Sequence, residues 1–253
     1  MFYKKENLPI ESNIKAFNIT FKGLNKNFIL SLLESSKKLN IVVTVNAELI
    51  VLANENKKFM DILNKNITTV DGQIPYFFLK LKTKSRKLKI EKLSGSDMIY
   101  LICKKAAELK LKVFLLGGLE TSNKISQQKL KNLFPELNVD GYSPPYFPYP
   151  FPKEHNEKIL EILKKSMPHV LFVAFGAPKQ EFWIEDNKLF LEEIGVILAM
   201  GVGGTLEMVA GIEKRAPRIL QKIGLESIWR LCQNPKRFKR FLRNFKFFRY
   251  IFL

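Results

Sequence analysis

Cysteine and histidine are nearly absent, with two of each in 253 residues. Cys103 and Cys232 lie far apart in helical-looking segments without metal or redox spacing, so buried free thiols in a reducing compartment are expected. His155 and His169 stand alone, one near a helix start and one before a strand, and neither has a partner at metal-ligand spacing. No two Asp residues are separated by a single position, which removes the Asp-x-Asp pattern that often holds a divalent ion. A Walker Lys-Ser/Thr, a complete G-x-G-x-x-G and a serine nucleophile elbow are missing too. Apolar runs stay short of the ~18 residues that a membrane span needs. Residues 1–20 carry charges and Pro9 but no apolar signal-peptide stretch, so the chain is expected to stay in the cytoplasm. Acid is scarce: 24 Asp and Glu face 42 Lys and Arg, and the net +18 calls for an anionic partner. Phosphorylated substrate, nucleic acid and an anionic membrane all qualify.

What the chain has is a steady alternation of strand and helix. Its centre is HVLFVAFGAPKQEFWI at 169–184, where a continuous apolar run suits a strand buried on both faces of a parallel sheet. Gly176 permits the sharp turn that follows, and Pro178 suits a first helical turn. Lys179, Gln180 and Glu181 then leave a helix N-terminus at the sheet's carboxyl edge, where such folds bind ligands. Residues 17–22 alternate like a strand, 24–38 reads as an amphipathic helix, and 39–45 is the first strongly apolar strand. A strand at 67–70 ends in Asp71-Gly72, and Ser94-Gly95-Ser96-Asp97 opens a helix that reaches about residue 110. A strand at 111–116 ends in Gly117-Gly118, helices at 120–134 and 153–166 follow, and another helix leaves the central strand over 178–193. One more strand at 195–200 runs into Gly201-Val202-Gly203-Gly204-Thr205. The expected fold is α/β, a mostly parallel Rossmann-like sheet flanked by helices, with a core over 1–223 and a helical appendage over 224–253. The proline- and aromatic-rich stretch 141–152 breaks the rhythm as a stiff loop that either lines a cleft or covers a sheet edge.

Glycine exposes backbone at three strand ends, and N–H groups there, backed by helix dipoles, suit phosphate. Thr44 and Asn46 end a strand, Asn46 as an N-cap or as a ligand contact. Asp71 directly follows a strand and faces the same edge, although Asp-Gly pairs often serve only as turns. From Pro235 the chain reads PKRFKRFLRNFKFFRYIFL, without a single acid. At helical spacing Phe238, Phe241, Leu242, Phe245, Phe248 and Phe252 share a stripe, with Arg237, Lys239, Arg240, Arg243 and Lys246 around the rest and Phe247 off it. Such a segment suits an anionic membrane surface, each cation contributing ~1 kcal/mol, and 235–253 is expected to dock there. Core packing, dimerisation and nucleic-acid binding are the competing uses of the same pattern.

Several separated strings occur in the order and spacing of one family. They are Thr44-Val45-Asn46-Ala47-Glu48, Asp71-Gly72, Ser94-Gly95-Ser96-Asp97, Leu115-Leu116-Gly117-Gly118, Phe175 to Glu181, Gly201-Val202-Gly203-Gly204, Arg215-Ala216-Pro217 and Gly224-Leu225-Glu226. Over 40–243 the chain resembles the WecG/TagA/CpsF glycosyltransferases, most specifically in Gly-Ala-Pro-Lys-Gln-Glu. The resemblance implies inverting transfer of an N-acetylhexosamine-type sugar, such as N-acetylmannosamine or its uronic acid, from a UDP-sugar donor. It implies a polyprenyl-diphosphate-linked sugar as acceptor at the inner face of the cell membrane, and products that serve teichoic acid, common-antigen or capsule synthesis. Neither cofactor nor metal is implied, which agrees with the missing Asp-x-Asp. Asp71 matches the catalytic base. Thr44, Asn46 and Gln180 match pocket positions that orient the sugar. For the diphosphates, the chemistry calls for cations and glycine N–H groups, here Gly203, Gly204, Arg215, Arg230, Arg237 and Arg240. Lys92 stands where the family usually has Arg, keeping charge without bidentate recognition. Ser227 replaces an aromatic, and Asn234 replaces an acid before Pro235. Nucleic acid is not an expected partner under this reading, and a homo-oligomer stays open. The rival reading is a basic nucleic-acid-binding protein with a non-catalytic α/β core, which leaves the ordered strings unexplained.

Overall fold

The computed structural model describes residues 13–83, 89–235 and 238–251. Six strands form one all-parallel sheet: β3 (Asn40–Val45), β4 (Ile67–Val70), β5 (Lys112–Gly117), β6 (Asn138–Tyr142), β7 (Val170–Ala174) and β8 (Leu198–Gly201), in the order β4-β3-β8-β7-β5-β6. Ahead of it, β1 (Ile14–Ala16) and β2 (Ile19–Phe21) make a small antiparallel hairpin. The stretch 17–22 is thus not one strand, because Phe17 and Asn18 both take positive φ and turn the chain within it.

Period-2 geometry sorts the strand side chains between two cores. Val43, Val45, Leu116, Leu171 and Val173 pack on one face, and Val42, Val113, Leu115, Val170 and Phe172 on the other. The first face is covered by α2 (Ala47–Glu55), α3 (Lys57–Lys65), α4 (Gln73–Thr83), α7 (Lys153–Ser166), α8 (Lys179–Asp186), α9 (Lys188–Glu193) and the hairpin. The second carries α1 (Lys26–Ser35), α5 (Gly95–Glu108), α6 (Glu120–Leu133) and α10 (Thr205–Ala210). Asn25, Asn46, Asn56 and Ser94 each accept a backbone N–H as N-cap, which fixes where their helices begin. The expected helix over 178–193 is two helices, broken at Asn187.

The chain ends in α11 (Arg218–Lys222), α12 (Glu226–Gln233), α13 (Phe238–Lys246) and a 3-10 turn, Phe247–Tyr250. Trp229 and Gln233 of α12 donate to the Lys214 carbonyl, tying the helix to the loop after α10. Over α13 and the turn after it most of the expected apolar stripe faces outward: Phe238 is 55% and Phe245 57% exposed, with Leu242 and Phe248 half exposed and Phe241 more covered. The cations turn inward, Arg240 and Arg243 onto Glu48 and Lys246 onto Glu55, both acids belonging to α2. Phe247, which lay off the stripe, is the anchor at 1% exposure, its ring 5.2 Å from Phe17 and 6.1 Å from Phe78. The helix tightens to 3-10 at this residue, which is why a uniform helical period does not place it. Arg237, Phe252 and 84–88 of the basic linker lie outside the described residues. Cys103 is buried as expected, whereas Cys232 is exposed.

Candidate active site

An all-parallel sheet puts every strand's carboxyl end on one rim, and two clefts open there. The first encloses about 980 Å³, its open mouth included, between the ends of β3 and β4 and the terminal helices, with Ile74, Phe241, Phe247 and Phe248 among its walls. The second, about 660 Å³ on the same measure, is more polar and runs over Thr44, Ser96, Gln180, Gly203 and Gly204 at the ends of β3, β7 and β8. Five residues line both: Asn46, Asp71, Glu226, Arg230 and Arg240.

Asp71 extends β4 by one backbone bond, its N–H donating to the Val45 carbonyl at 2.9 Å, and its Oδ1 accepts from Gly72 N at 2.7 Å. Gly72 has φ +82, so the turn requires glycine. Burial pushes the Asp71 carboxyl up to about 7, assisted by the charge of Glu226 and opposed by the Gly72 N–H, Arg230 and Lys92.

Beside it, Gln180 and Glu181 form a buried clamp. The Gln180 Oε1 accepts from Gly176 N at 3.1 Å and Gly203 N at 3.0 Å, joining the turns that follow β7 and β8, while its Nε2 donates to Glu181 Oε1 at 2.8 Å. Gly201 makes room for the pair, since a Cβ there would lie 2.4 Å from Gln180 Nε2 and 2.7 Å from Glu181 Oε1. Glu181 is 1% exposed and its Oε2 has no hydrogen-bond partner among the described residues; burial pushes this carboxyl up to about 7 as well.

The expected phosphate-binding cations meet different fates. Arg215 is engaged by Asp97, at 2.5 and 2.7 Å, with Ser94 Oγ donating to the same carboxylate at 2.6 Å. Burial alone would raise Asp97, but these bonds outweigh it and hold the carboxyl below its ordinary range. Arg215 and Lys92 line neither cleft; Lys92 Nζ lies 3.4 Å from Gln73 Oε1. Arg240 grips Glu48 through Nε and Nη2 at 2.9 and 2.6 Å. Arg230 sits at the seam of the clefts, 3.5 Å from Glu213, with a buried Nε that lacks a hydrogen-bond partner among the described residues. Asn46 caps α2 through Oδ1, and the Gly203 N–H is spent on Gln180. Among the described residues no three His, Cys, Asp or Glu side chains gather as a metal-holding group.

Two acids of the site, Glu48 and Glu226, are not singled out by the sequence although each lies inside a quoted string, and Glu181 is placed at the ligand edge without a role. What marks them is their surroundings, which spacing does not reveal. The loop 141–152 contributes to neither cleft. It packs on α8 instead, Tyr149 stacking on Phe182 and hydrogen-bonding Asp186, and Phe151 edge-on to Phe175.

Comparison with known families gives the class: the chain is a glycosyltransferase. The model of the Glycosyl transferase WecG/TagA/CpsF family matches residues 13–253, and the protein belongs to that family. The match takes in the terminal helices that build the first cleft. Its work is thereby set in cell-surface polysaccharide biosynthesis. Among the described residues no helix is long and apolar enough to cross a membrane.

Proposed function

We propose that the protein moves an N-acetylhexosamine-type sugar from UDP to a polyprenyl-diphosphate-linked sugar, with inversion and with Asp71 as the base. The observation that carries this reading is the position of Asp71 at the seam of a polar and an apolar-walled cleft. The donor lies in the polar cleft over the ends of β7 and β8. The acceptor enters through the other, its lipid against Ile74, Phe241 and Phe248, and presents a hydroxyl at the seam. Asp71 takes that proton as the oxygen bonds to the anomeric carbon, and the bond from that carbon to the UDP oxygen breaks. A base poised near neutrality suits the task. Arg230, the cation on the seam with donor capacity to spare, faces the developing charge on UDP, with Gly204 at the start of α10. Thr44 and Asn46 orient the sugar, while Gln180 shapes the floor by holding two turns together. Arg240 contributes field and position, since Glu48 already holds its guanidinium.

Residues 224–253 act in this reading as the unit that closes the acceptor cleft and rests on the inner face of the cell membrane. The support is the outward row Phe238, Leu242, Phe245 and Phe248, joined by exposed Ile74, Phe77 and Leu81 on α4. Each half-exposed side chain gains on the order of 1 kcal/mol on entering lipid. Because three cations of α13 are spoken for by α2, apolar insertion contributes more than charge. The test is UDP release from a panel of UDP-sugars by the full chain, with EDTA throughout and a short-chain prenyl-diphosphate-sugar as acceptor. Acceptor-dependent release from one donor is expected; a chain that does not bind UDP refutes the reading.

A further inference from the structure

Among the five residues shared by the clefts, four have duties already. Asn46 caps α2, Arg240 is held by Glu48, Arg230 lies against Glu213, and Asp71 is the base of the proposed reaction. The fifth, Glu226, opens α12 and is partly exposed to both clefts. It accepts no hydrogen bond and makes no ion pair among the described residues, yet its charge is felt at Asp71 and Arg215. An uncommitted carboxylate at this point repels a diphosphate. It accepts well from hydroxyls, and two oxygens match the adjacent hydroxyls of a pyranose ring.

We propose that Glu226 binds the acceptor sugar by accepting from the hydroxyl next to the one that attacks, and so holds the nucleophile against Asp71. This deepens the proposed function and rests on it. The sugar lies between two carboxylates, one accepting a hydrogen bond throughout and the other taking a proton, while the lipid extends along the apolar wall. Glu226 also keeps Asp71 a stronger base. The charged groups that face Asp71 are Glu226 and Arg230 from α12, Lys92 from the segment before α5, and Arg215 from the loop before α11. Without Glu226 the charges of Arg230 and Lys92 lose their nearest opponent and favour the ionised form of Asp71 against its burial, Arg215 being held by Asp97.

The test compares the full-length wild type with Glu226→Gln, using the short-chain prenyl-diphosphate-sugar and the donor that wild type accepts. Glutamine still accepts through its amide oxygen but without the charge, and losing that assistance corresponds to roughly a five- to ten-fold rise in acceptor KM. Donor KM and the affinity for UDP are expected to change less than about two-fold, and the acid limb of kcat/KM for acceptor to move to lower pH. Glu226→Asp, which keeps the charge, is expected to leave that limb near its wild-type position. An unchanged acceptor KM with an unmoved limb overturns the proposal, as does an equal rise in donor and acceptor KM, the mark of a merely structural residue. Wild type that binds UDP yet transfers from no donor overturns the underlying reading, and this proposal with it.

Discussion

Replacing Glu181 by Gln should stabilise the protein in a way that depends on pH. The wild-type carboxyl is 1% exposed, receives a hydrogen bond from Gln180 and leaves Oε2 without a partner among the described residues, so burial raises it from an ordinary 4.5 to about 7. Between those values the folded protein keeps a proton that the unfolded chain has lost. Stability conferred by the neutral acid is therefore complete below about pH 4.5, falls as pH rises through the window, and is gone above about 7. At 1.36 kcal/mol per unit, the whole loss is about 3 kcal/mol. Glutamine has nearly the same shape, still offers an acceptor to Gln180, and cannot ionise. Urea unfolding of both proteins at pH 5 and pH 8 should show the variant gaining most of that 3 kcal/mol on the wild type as pH rises. Asp71 titrates nearby in the same range, but it does so in both proteins and cancels in the difference. A stability difference that is the same at both pH values refutes the buried neutral acid, whatever its sign.

Asp71→Asn should cut transfer by at least about a hundred-fold while UDP still binds, general-base contributions being of that order. In the wild type, kcat/KM should rise with pH to a plateau above about 7, because Asp71 must lose its proton to act. Transfer by Asp71→Asn at a tenth of the wild-type rate would place the base elsewhere. Phe245→Glu with Phe248→Glu should reduce sedimentation with liposomes by ten-fold or more, and wild-type binding should weaken little between low and moderate salt. A steep salt slope with intact binding of the double variant would restore the electrostatic account of the tail. Gly201→Ala, with its Cβ 2.4 Å from Gln180 Nε2, should cost roughly 1–3 kcal/mol in urea unfolding and weaken UDP binding with it. A neutral substitution would mean the clamp is not rigid.

The central features of the sheet were legible because buried parallel strands announce themselves. The strand 67–70 and the helix 153–166 appear with their expected bounds. The edge strand β6 was not, since Asn138–Tyr142 is half exposed and holds Asp140 and Gly141, residues that argue against strand when read alone. Helix α3 went unread although its apolar positions follow a helical period, squeezed between its Asn56 cap and Asn66. In the site, the order of motifs pointed to one rim, and Asp71 stands on it beside Asn46. Which polar groups are already spent was beyond sequence. Gln180 and the Gly203 N–H bond each other across 23 positions, Arg215 is bound to an acid 118 positions away, and Arg240 to one 192 away. In the tail, amphipathic periodicity tells two faces apart but not which one meets the protein, and it is the acids Glu48 and Glu55 that draw the basic face onto α2.

The contact between Phe17 and Phe247 has a consequence for how the protein is made. The ring beside the first turn is covered by one placed almost at the last residue, and Arg240 reaches back to the helix that Asn46 begins. A ribosome has to pass Phe248 before the first cleft can gain its outer wall. Until then, the nascent sheet presents Glu48 without its cations and Phe17 without its cover. The segment after α12 is thus the piece that closes the first cleft, and a chain cut before it leaves that cleft without its aromatic wall.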